Sequence, residues 1–205
     1  MRKAGAFLLL LLIGFTVLLY AQEDDGDDPL EPDWDVYDMD YYTSGDQTFI
    51  MSAGTVFPAV FLNNGQVIEH NFSPPVGGTG YLSYNYYINS NVFLGGEFGG
   101  IFMPTLGRNT AYIIPLGFRA GYQFNVLRFE LPVYATLGIT WHRYLNLGYF
   151  GLFMKGGGSV YYRFNADWSF GVNVNWGWYP EWTSDRNKNI DGNIVDLTLG
   201  ARYHF

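Results

Sequence analysis

Charged residues are sparse beyond residue 47, and seven of them carry most of the chemistry that the sequence offers. They comprise three acids and four bases, which nearly neutralise one another: Glu97, Arg119, Glu130, Lys155, Arg163, Asp196 and Arg202. If these side chains share one interior, they form either fixed ion pairs that close it or pairs that exchange partners along a narrow pore. The sequence leaves both alternatives open.

Catalytic and metal-binding constellations are not recognisable in the sequence. His70 falls in a polar loop, His142 precedes a charged Arg143, and His204 is best explained as a structural partner of a neighbouring acid. The chain has no cysteine, which excludes disulfides and thiolate chemistry. The KGGGS stretch at 155–159 lacks a Walker pattern, and no EF-hand loop is matched. We therefore predict no enzymatic activity, no metal and no cofactor.

Alternation with a period of two identifies the elements that must position the charges. In SFGVNVNWGW (169–178), Phe, Val and Trp take one face, and Ser, Gly and Asn take the other. RFELPVYATLGITWH (128–142) alternates in the same way, and a helical period fails throughout. We predict eight strands, near residues 48–61, 77–88, 92–104, 111–124, 129–143, 149–164, 169–182 and 194–205.

The two faces of these strands predict an antiparallel, up-and-down transmembrane β-barrel. Short Asn- and Asp-rich turns alternate with longer polar loops, which is typical of a closed meander. One face has no charge and is bounded by aromatic residues, as expected for a wall in contact with lipid. The expected girdles are Trp141, Trp176, Trp178 and Trp182 toward the long loops, and Phe124, Phe129, Tyr162, Phe164, Tyr203 and Phe205 toward the short turns.

The first 46 residues differ from the all-β domain predicted for 47–205. Residues 1–21 begin with Arg2 and Lys3 and continue as an apolar run, which predicts a cleavable signal peptide, with a retained membrane helix as the alternative. Residues 22–46 hold 11 of the 19 acids and predict a disordered periplasmic tail. Weak calcium binding and folding onto a partner remain alternatives for this tail. Its aromatic residues are expected at the membrane interface: Trp34, Tyr37, Tyr41 and Tyr42.

A resemblance to a known family is carried by the last eight residues, TLGARYHF. They match the C-terminal assembly signal of outer-membrane barrels at Thr198, Gly200, Tyr203 and Phe205. Residues 48–205 resemble the small eight-stranded outer-membrane proteins of diderm bacteria, the superfamily with A, X and W types. The resemblance implies insertion into outer-membrane lipid by the barrel-assembly machinery with periplasmic chaperones. Lipid A acyltransferases or deacylases in this group use a lipid-facing triad, which is not visible here.

The sequence as a whole predicts an integral outer-membrane barrel with both mature termini in the periplasm. Its function is expected to be a narrow pore for small solutes. A closed structural barrel, acting as a membrane anchor or as an adhesin through its surface loops, is the alternative, and a lipid A-modifying enzyme is less favoured. The domain from 47 onward is nearly neutral, so it has no basic patch for nucleic acid.

Overall fold

The structure, a computed structural model, describes residues 42–63, 65–69, 74–105, 109–144, 147–181 and 189–205. The predicted signal peptide, the tail up to residue 41, His70 and Trp182 lie outside the described residues. Among the residues that are described, no helix is long and apolar enough to cross a membrane.

The described chain is built of β-strands, as the period of two predicted. Nine strands occur in chain order: β1 (Gln47–Asn63), β2 (Gln66–Ile68), β3 (Gly77–Tyr87), β4 (Val92–Pro104), β5 (Thr110–Val126), β6 (Phe129–Tyr144), β7 (Leu147–Arg163), β8 (Trp168–Glu181) and β9 (Ile190–His204). β2 is a three-residue strand inside the segment that was predicted as the first long loop. It pairs only with the end of β1, at Phe61 to Asn63.

The other eight strands form a closed, antiparallel, up-and-down barrel, which confirms the predicted fold class. Each strand pairs with its neighbours in sequence, and β9 pairs with β1 to complete the ring. The closing pair runs from Thr48 opposite His204 to Leu62 opposite Asp191, with a register shift between Pro58 and Val60. Proline lacks the N–H that a ladder needs, so a bulge at this position is expected.

Burial follows the alternation and is the inverse of that in a soluble protein. Leu199 on β9 is 71% exposed on the outer wall, whereas Arg202 on the same strand is fully buried in the lumen. Successive side chains of a strand point to opposite faces. Every second residue therefore turns an apolar side chain outward, and the residues between them turn polar side chains inward. The charged side chains are therefore concentrated inside the ring.

The two ends of the barrel differ in their connections. At one end, which we call the short-turn end, the strands are joined by residues 88–91, 127–128 and 164–167. Residues 64–76, which include β2, and 182–189 are longer connections at the other end, the long-loop end, although β6 and β7 are joined there by residues 145–146 alone. Aromatic rings contact one another on the wall at the short-turn end, with centroids of Trp168 and Tyr203 5.0 Å apart and those of Phe129 and Tyr162 5.6 Å apart.

Candidate functional site in the barrel lumen

The middle of the lumen is occupied by an ion-pair cluster centred on Glu97. Its Oε2 accepts a hydrogen bond from Arg119 Nη1 at 2.8 Å, and its Oε1 pairs with Lys155 Nζ. β4 and β7, which carry Glu97 and Lys155, are three places apart in the strand order, so this pair crosses the lumen. All three side chains are at most 4% exposed, so a carboxylate shared by two cations fills the centre of the barrel.

Aromatic rings cover both cations of this cluster. The Arg119 guanidinium lies 3.4 Å from the ring centroid of Tyr134, and Lys155 Nζ lies 3.6 Å from that of Tyr81. Such contacts contribute about 0.5–2 kcal/mol each, more when water is excluded. The tyrosines therefore both fill space and stabilise charges that have been removed from water.

Asp196 lies beside this cluster and is held by neutral donors. Its Oδ1 accepts a hydrogen bond from Asn175 Nδ2 at 2.6 Å, and its Oδ2 accepts one from Tyr81 at 3.0 Å. Tyr134 in turn donates to Asn175 Oδ1 at 2.7 Å. The carboxylate and its amide partner thus belong to a continuous polar network inside the ring.

A second ion-pair cluster closes the lumen toward the short-turn end. Arg202 Nη1 donates to Glu130 Oε2 at 2.9 Å, and this pair also crosses the lumen, between β9 and β6. Arg163 Nη1 lies 3.7 Å and His204 Nε2 lies 3.8 Å from Glu130 Oε1. Arg202 also lies over the ring of Tyr161, at 4.2 Å from its centroid. One carboxylate therefore faces two guanidiniums and an imidazole.

Tyr42 seals the same end from outside the strands, which differs from its expected place at the membrane interface. Its ring stacks on Tyr87 with centroids 3.8 Å apart and an interplanar angle of 5°. Its hydroxyl accepts a hydrogen bond from Arg202 Nη1 at 3.2 Å and contacts His204 Nδ1 at 3.1 Å. Burial raises the pKa of the Tyr42 phenol more than the adjacent Arg202 lowers it. The phenol is therefore neutral in the physiological range.

The half of the lumen nearer the long-loop end is filled mainly by apolar side chains. A buried cluster fills it, with Phe153 and Tyr179 stacked at 5.6 Å between centroids; the cluster comprises Val56, Tyr81, Ile101, Met103, Ile113, Phe153, Tyr179 and Ile194. A cavity of about 70 Å³ lies above it, next to His142, whose Nδ1 is 3.0 Å from Glu181 Oε1. This cavity is about half the size of one that takes up benzene.

The seven charged residues proposed from the sequence thus lie in two clusters, with Glu97, Arg119, Lys155 and Asp196 in the middle and Glu130, Arg163 and Arg202 at the short-turn end. Of the proposed assembly-signal residues, Thr198 and Gly200 face the lumen, and Tyr203 and Phe205 are exposed on the outer wall. The described residues contain no group of three or more His, Cys, Asp or Glu side chains that could hold a metal.

The tyrosines that complete both clusters are not among the site residues predicted from the sequence. Tyr81, Tyr87, Tyr134 and Tyr161 are all buried in the lumen. The sequence did contain a signal for them. Each of these tyrosines occupies an alternate strand position shared with the polar residues, and not one shared with the outward-facing aromatic residues. Tyr42 had no such signal, since it precedes the strands and follows an acidic stretch.

Comparisons with known proteins agree with this architecture. One protein-family model matches residues 23–203, which is most of the chain. Neisserial surface protein A is similar in structure, with a TM-score of 0.60 and 13% identity over 79% of this chain and 98% of that one. The outer membrane protein OprG from Pseudomonas aeruginosa has a TM-score of 0.51 and 11% identity over 80% of this chain and 97% of that one. At these identities the likeness concerns the fold alone.

Relatives in sequence are found in two spirochaetes. An uncharacterized protein of Treponema pallidum is 29% identical over 129 residues, which are 63% of this chain and 59% of the relative. An uncharacterized protein of Borreliella burgdorferi is 23% identical over 160 residues, which are 67% of this chain and 74% of the relative. The match therefore spans less than two thirds of the first relative's length.

Proposed function

Because the chain belongs to the family whose model matches residues 23–203 and has the fold of the small eight-stranded outer-membrane barrels, we propose that it is an integral outer-membrane protein with a closed lumen. Its function in this proposal is that of a structural barrel that anchors the chain in the membrane. The observation that carries the proposal is the complete burial of charged side chains across the lumen. Arg202 is 0% exposed and Lys155 is 1% exposed.

Membrane insertion is supported by the outer wall. Large apolar side chains are exposed around the ring, including Phe118 on β5, Leu137 on β6 and Leu199 on β9. A soluble monomer rarely exposes more than a few hundred Å² of contiguous apolar surface, because that surface drives association in water. In a bilayer the same wall is in its preferred solvent, and the closed ring leaves no strand edge unpaired in lipid.

Closure of the lumen is supported at three levels. The apolar cluster around Phe153 and Tyr179 fills the long-loop half, the Glu97 cluster fills the middle, and the Arg202–Glu130 pair with Tyr42 fills the short-turn end. An eight-stranded ring is just wide enough for its inward side chains to fill it. A solute would have to displace at least one of these layers.

Fractionation and electrical recording test the two parts of this proposal separately. We expect the protein in the outer-membrane fraction, with a gel mobility that changes on heating because the folded barrel resists detergent. Recovery in a soluble fraction would contradict the membrane part. In planar bilayers the purified wild-type chain should give no stable conductance steps, and reproducible steps at moderate voltage would contradict the closed lumen.

A narrow pore for small solutes is the second candidate, and the electrostatic surroundings of Lys155 favour it. Lys155 pairs with Glu97, and the negative charge of Asp196 also acts on Lys155. A cation placed between two carboxylates can move from one to the other without losing a counter-charge. Under this candidate the wild type conducts, and the steps disappear in Lys155→Ala or Arg119→Ala. Silence of all variants at every voltage would exclude it.

A further inference from the structure

The segment from Tyr42 to Asp46 precedes β1 and belongs to no strand. Its first side chain, the ring of Tyr42, nevertheless lies inside the barrel. Tyr42 is 4% exposed, and it contacts residues from β3 and β9 together with Arg163, whose guanidinium lies 5.7 Å from its ring. The ring therefore occupies a socket whose walls come from distant parts of the chain. A passive linker that merely approaches the first strand would not need such a socket.

The backbone next to Tyr42 is fixed independently of its side chain. Thr43 N donates to Asp46 Oδ2 at 2.6 Å, and Thr43 Oγ1 donates to Asp46 Oδ1 at 3.2 Å. Gly45, with φ of +104°, donates its N–H to the carbonyl of Tyr87 at 2.9 Å. Glycine tolerates this left-handed conformation without steric cost. The turn can thus remain in place while the ring at its end leaves the socket.

The partners of the Tyr42 hydroxyl keep other contacts when the ring leaves. Arg202 Nη1 retains Glu130 Oε2 at 2.9 Å and Gln123 Oε1 at 3.2 Å. His204 Nε2 retains Ser169 Oγ at 2.7 Å. Withdrawal therefore breaks the stack on Tyr87, the ring contact with His204, the cation–π contact with Arg163 and two hydrogen-bond contacts. It leaves no buried charge without its counter-charge. Withdrawal of the ring thus needs no rearrangement of the ion pairs.

We infer that Tyr42 is a reversible stopper of the short-turn mouth, seated by the turn at residues 43–46. When it is seated, its hydroxyl contacts Arg202 and His204, and Ser169 lies behind His204. When it is withdrawn, water and small molecules reach these groups while the middle and the long-loop half stay closed. The inference rests on the proposed closed barrel and adds to it a mouth whose access depends on the position of one side chain.

Thiol labelling tests the inference directly, because the chain contains no cysteine. Ser169→Cys places a reporter in the mouth, at a position that is 0% exposed and in contact with His204. Ser159→Cys places a matched reporter deeper, beside Tyr134 and Asn173. The rate of reaction with a small methanethiosulfonate reagent is measured for the folded, full-length protein in detergent micelles. Each reporter is combined with Tyr42, Tyr42→Phe and Tyr42→Ala.

We expect Tyr42→Ala to accelerate labelling of Ser169→Cys by about twofold to tenfold, which is the range that the loss of a stacked aromatic pair corresponds to. Labelling of Ser159→Cys should stay unchanged. Tyr42→Phe, which retains the ring, should label slowly like the wild type. Equal acceleration at both reporters, or no acceleration at Ser169→Cys, would overturn the inference.

Failure of the stopper and failure of the closed barrel give different results. The closed barrel is judged on conductance of the chain with native Tyr42, and the stopper is judged on the difference between Tyr42 variants at the mouth. Wild-type conductance refutes the closed barrel whatever the labelling shows. Electrical silence with identical Ser169→Cys rates in all three backgrounds refutes the stopper alone.

Discussion

Replacing Glu97 by Gln should destabilise the barrel more than any other single removal of a charge in the lumen. Glu97 neutralises Arg119 and Lys155 together, and both cations are at most 4% exposed. The amide keeps the size of the side chain but removes the counter-charge from two buried cations. The rings of Tyr81 and Tyr134 remain over these cations, and they compensate only a part of the loss.

The expected cost follows from the burial of the pair. Removing one partner of a buried ion pair costs about 3–5 kcal/mol, because the remaining charge is left uncompensated in a medium of low polarity. Asp196 lies close enough to act on Lys155, which keeps the estimate within this range although two cations are affected. An exposed charge is solvated by water and needs no counter-charge. Glu69→Gln, at an exposed position, is therefore the matched control, and it should change the free energy of unfolding by less than about 1 kcal/mol.

Urea unfolding in phospholipid vesicles, followed by tryptophan fluorescence, measures the difference. With a slope of about 1–3 kcal/mol per molar urea, the midpoint of Glu97→Gln should fall by at least about 1 M. Adding Lys155→Met to Glu97→Gln should recover part of the loss, because one uncompensated cation is removed.

A midpoint within about 0.3 M of the wild type would refute this reasoning, because it would show that the cluster is solvated like a surface pair. The lumen would then be hydrated at its centre, and the narrow pore would become the better explanation of the charges. Failure of Lys155→Met to rescue would equally show that the loss does not come from an unpaired cation.

Two further changes test the outer wall and the strand packing by the same unfolding assay. Leu137→Arg on the outer wall should cost about 2–4 kcal/mol near the midplane of the bilayer; the cost should disappear if this wall faces water. Gly138→Ala should destabilise by about 1–3 kcal/mol, because its methyl group would collide with the Leu116 carbonyl and the Gly117 Cα, whereas Gly100→Ala, with nothing nearby, should be tolerated. Equal stability of these two alanine variants would contradict the close approach of β5 and β6.

The sequence predicted which charged residues lie in the lumen, but it did not predict all of their pairings. Counting residues from the short-turn ends of the strands places Lys155 near the height of Asp196, and Glu97 near that of Arg119 on the adjacent strand. In the structure Lys155 forms its ion pair with Glu97, three strands away, while Asp196 is held by Tyr81 and Asn175. Heights along a strand follow from counting residues, but contacts across the lumen depend on the tilt and stagger of the closed ring.

The sequence by itself determined which side of the wall each strand residue occupies. Alternation is a local property, because a strand turns successive side chains to opposite faces whatever its neighbours are. From this alternation alone, Leu197 and Leu199 are expected to face outward and Asp196 and Thr198 inward, and the structure has the two leucines exposed and the other two side chains buried.

Only the tertiary structure decided what closes the lumen. The position of Tyr42 depends on a socket built by Tyr87, Arg202 and His204, which are at least 45 residues away along the chain. The local composition before Tyr42 is that of an acidic tail, and it contains no information about this socket. Closure of β9 on β1 brings the walls of the socket together, and a buried site for an aromatic ring exists only after that closure.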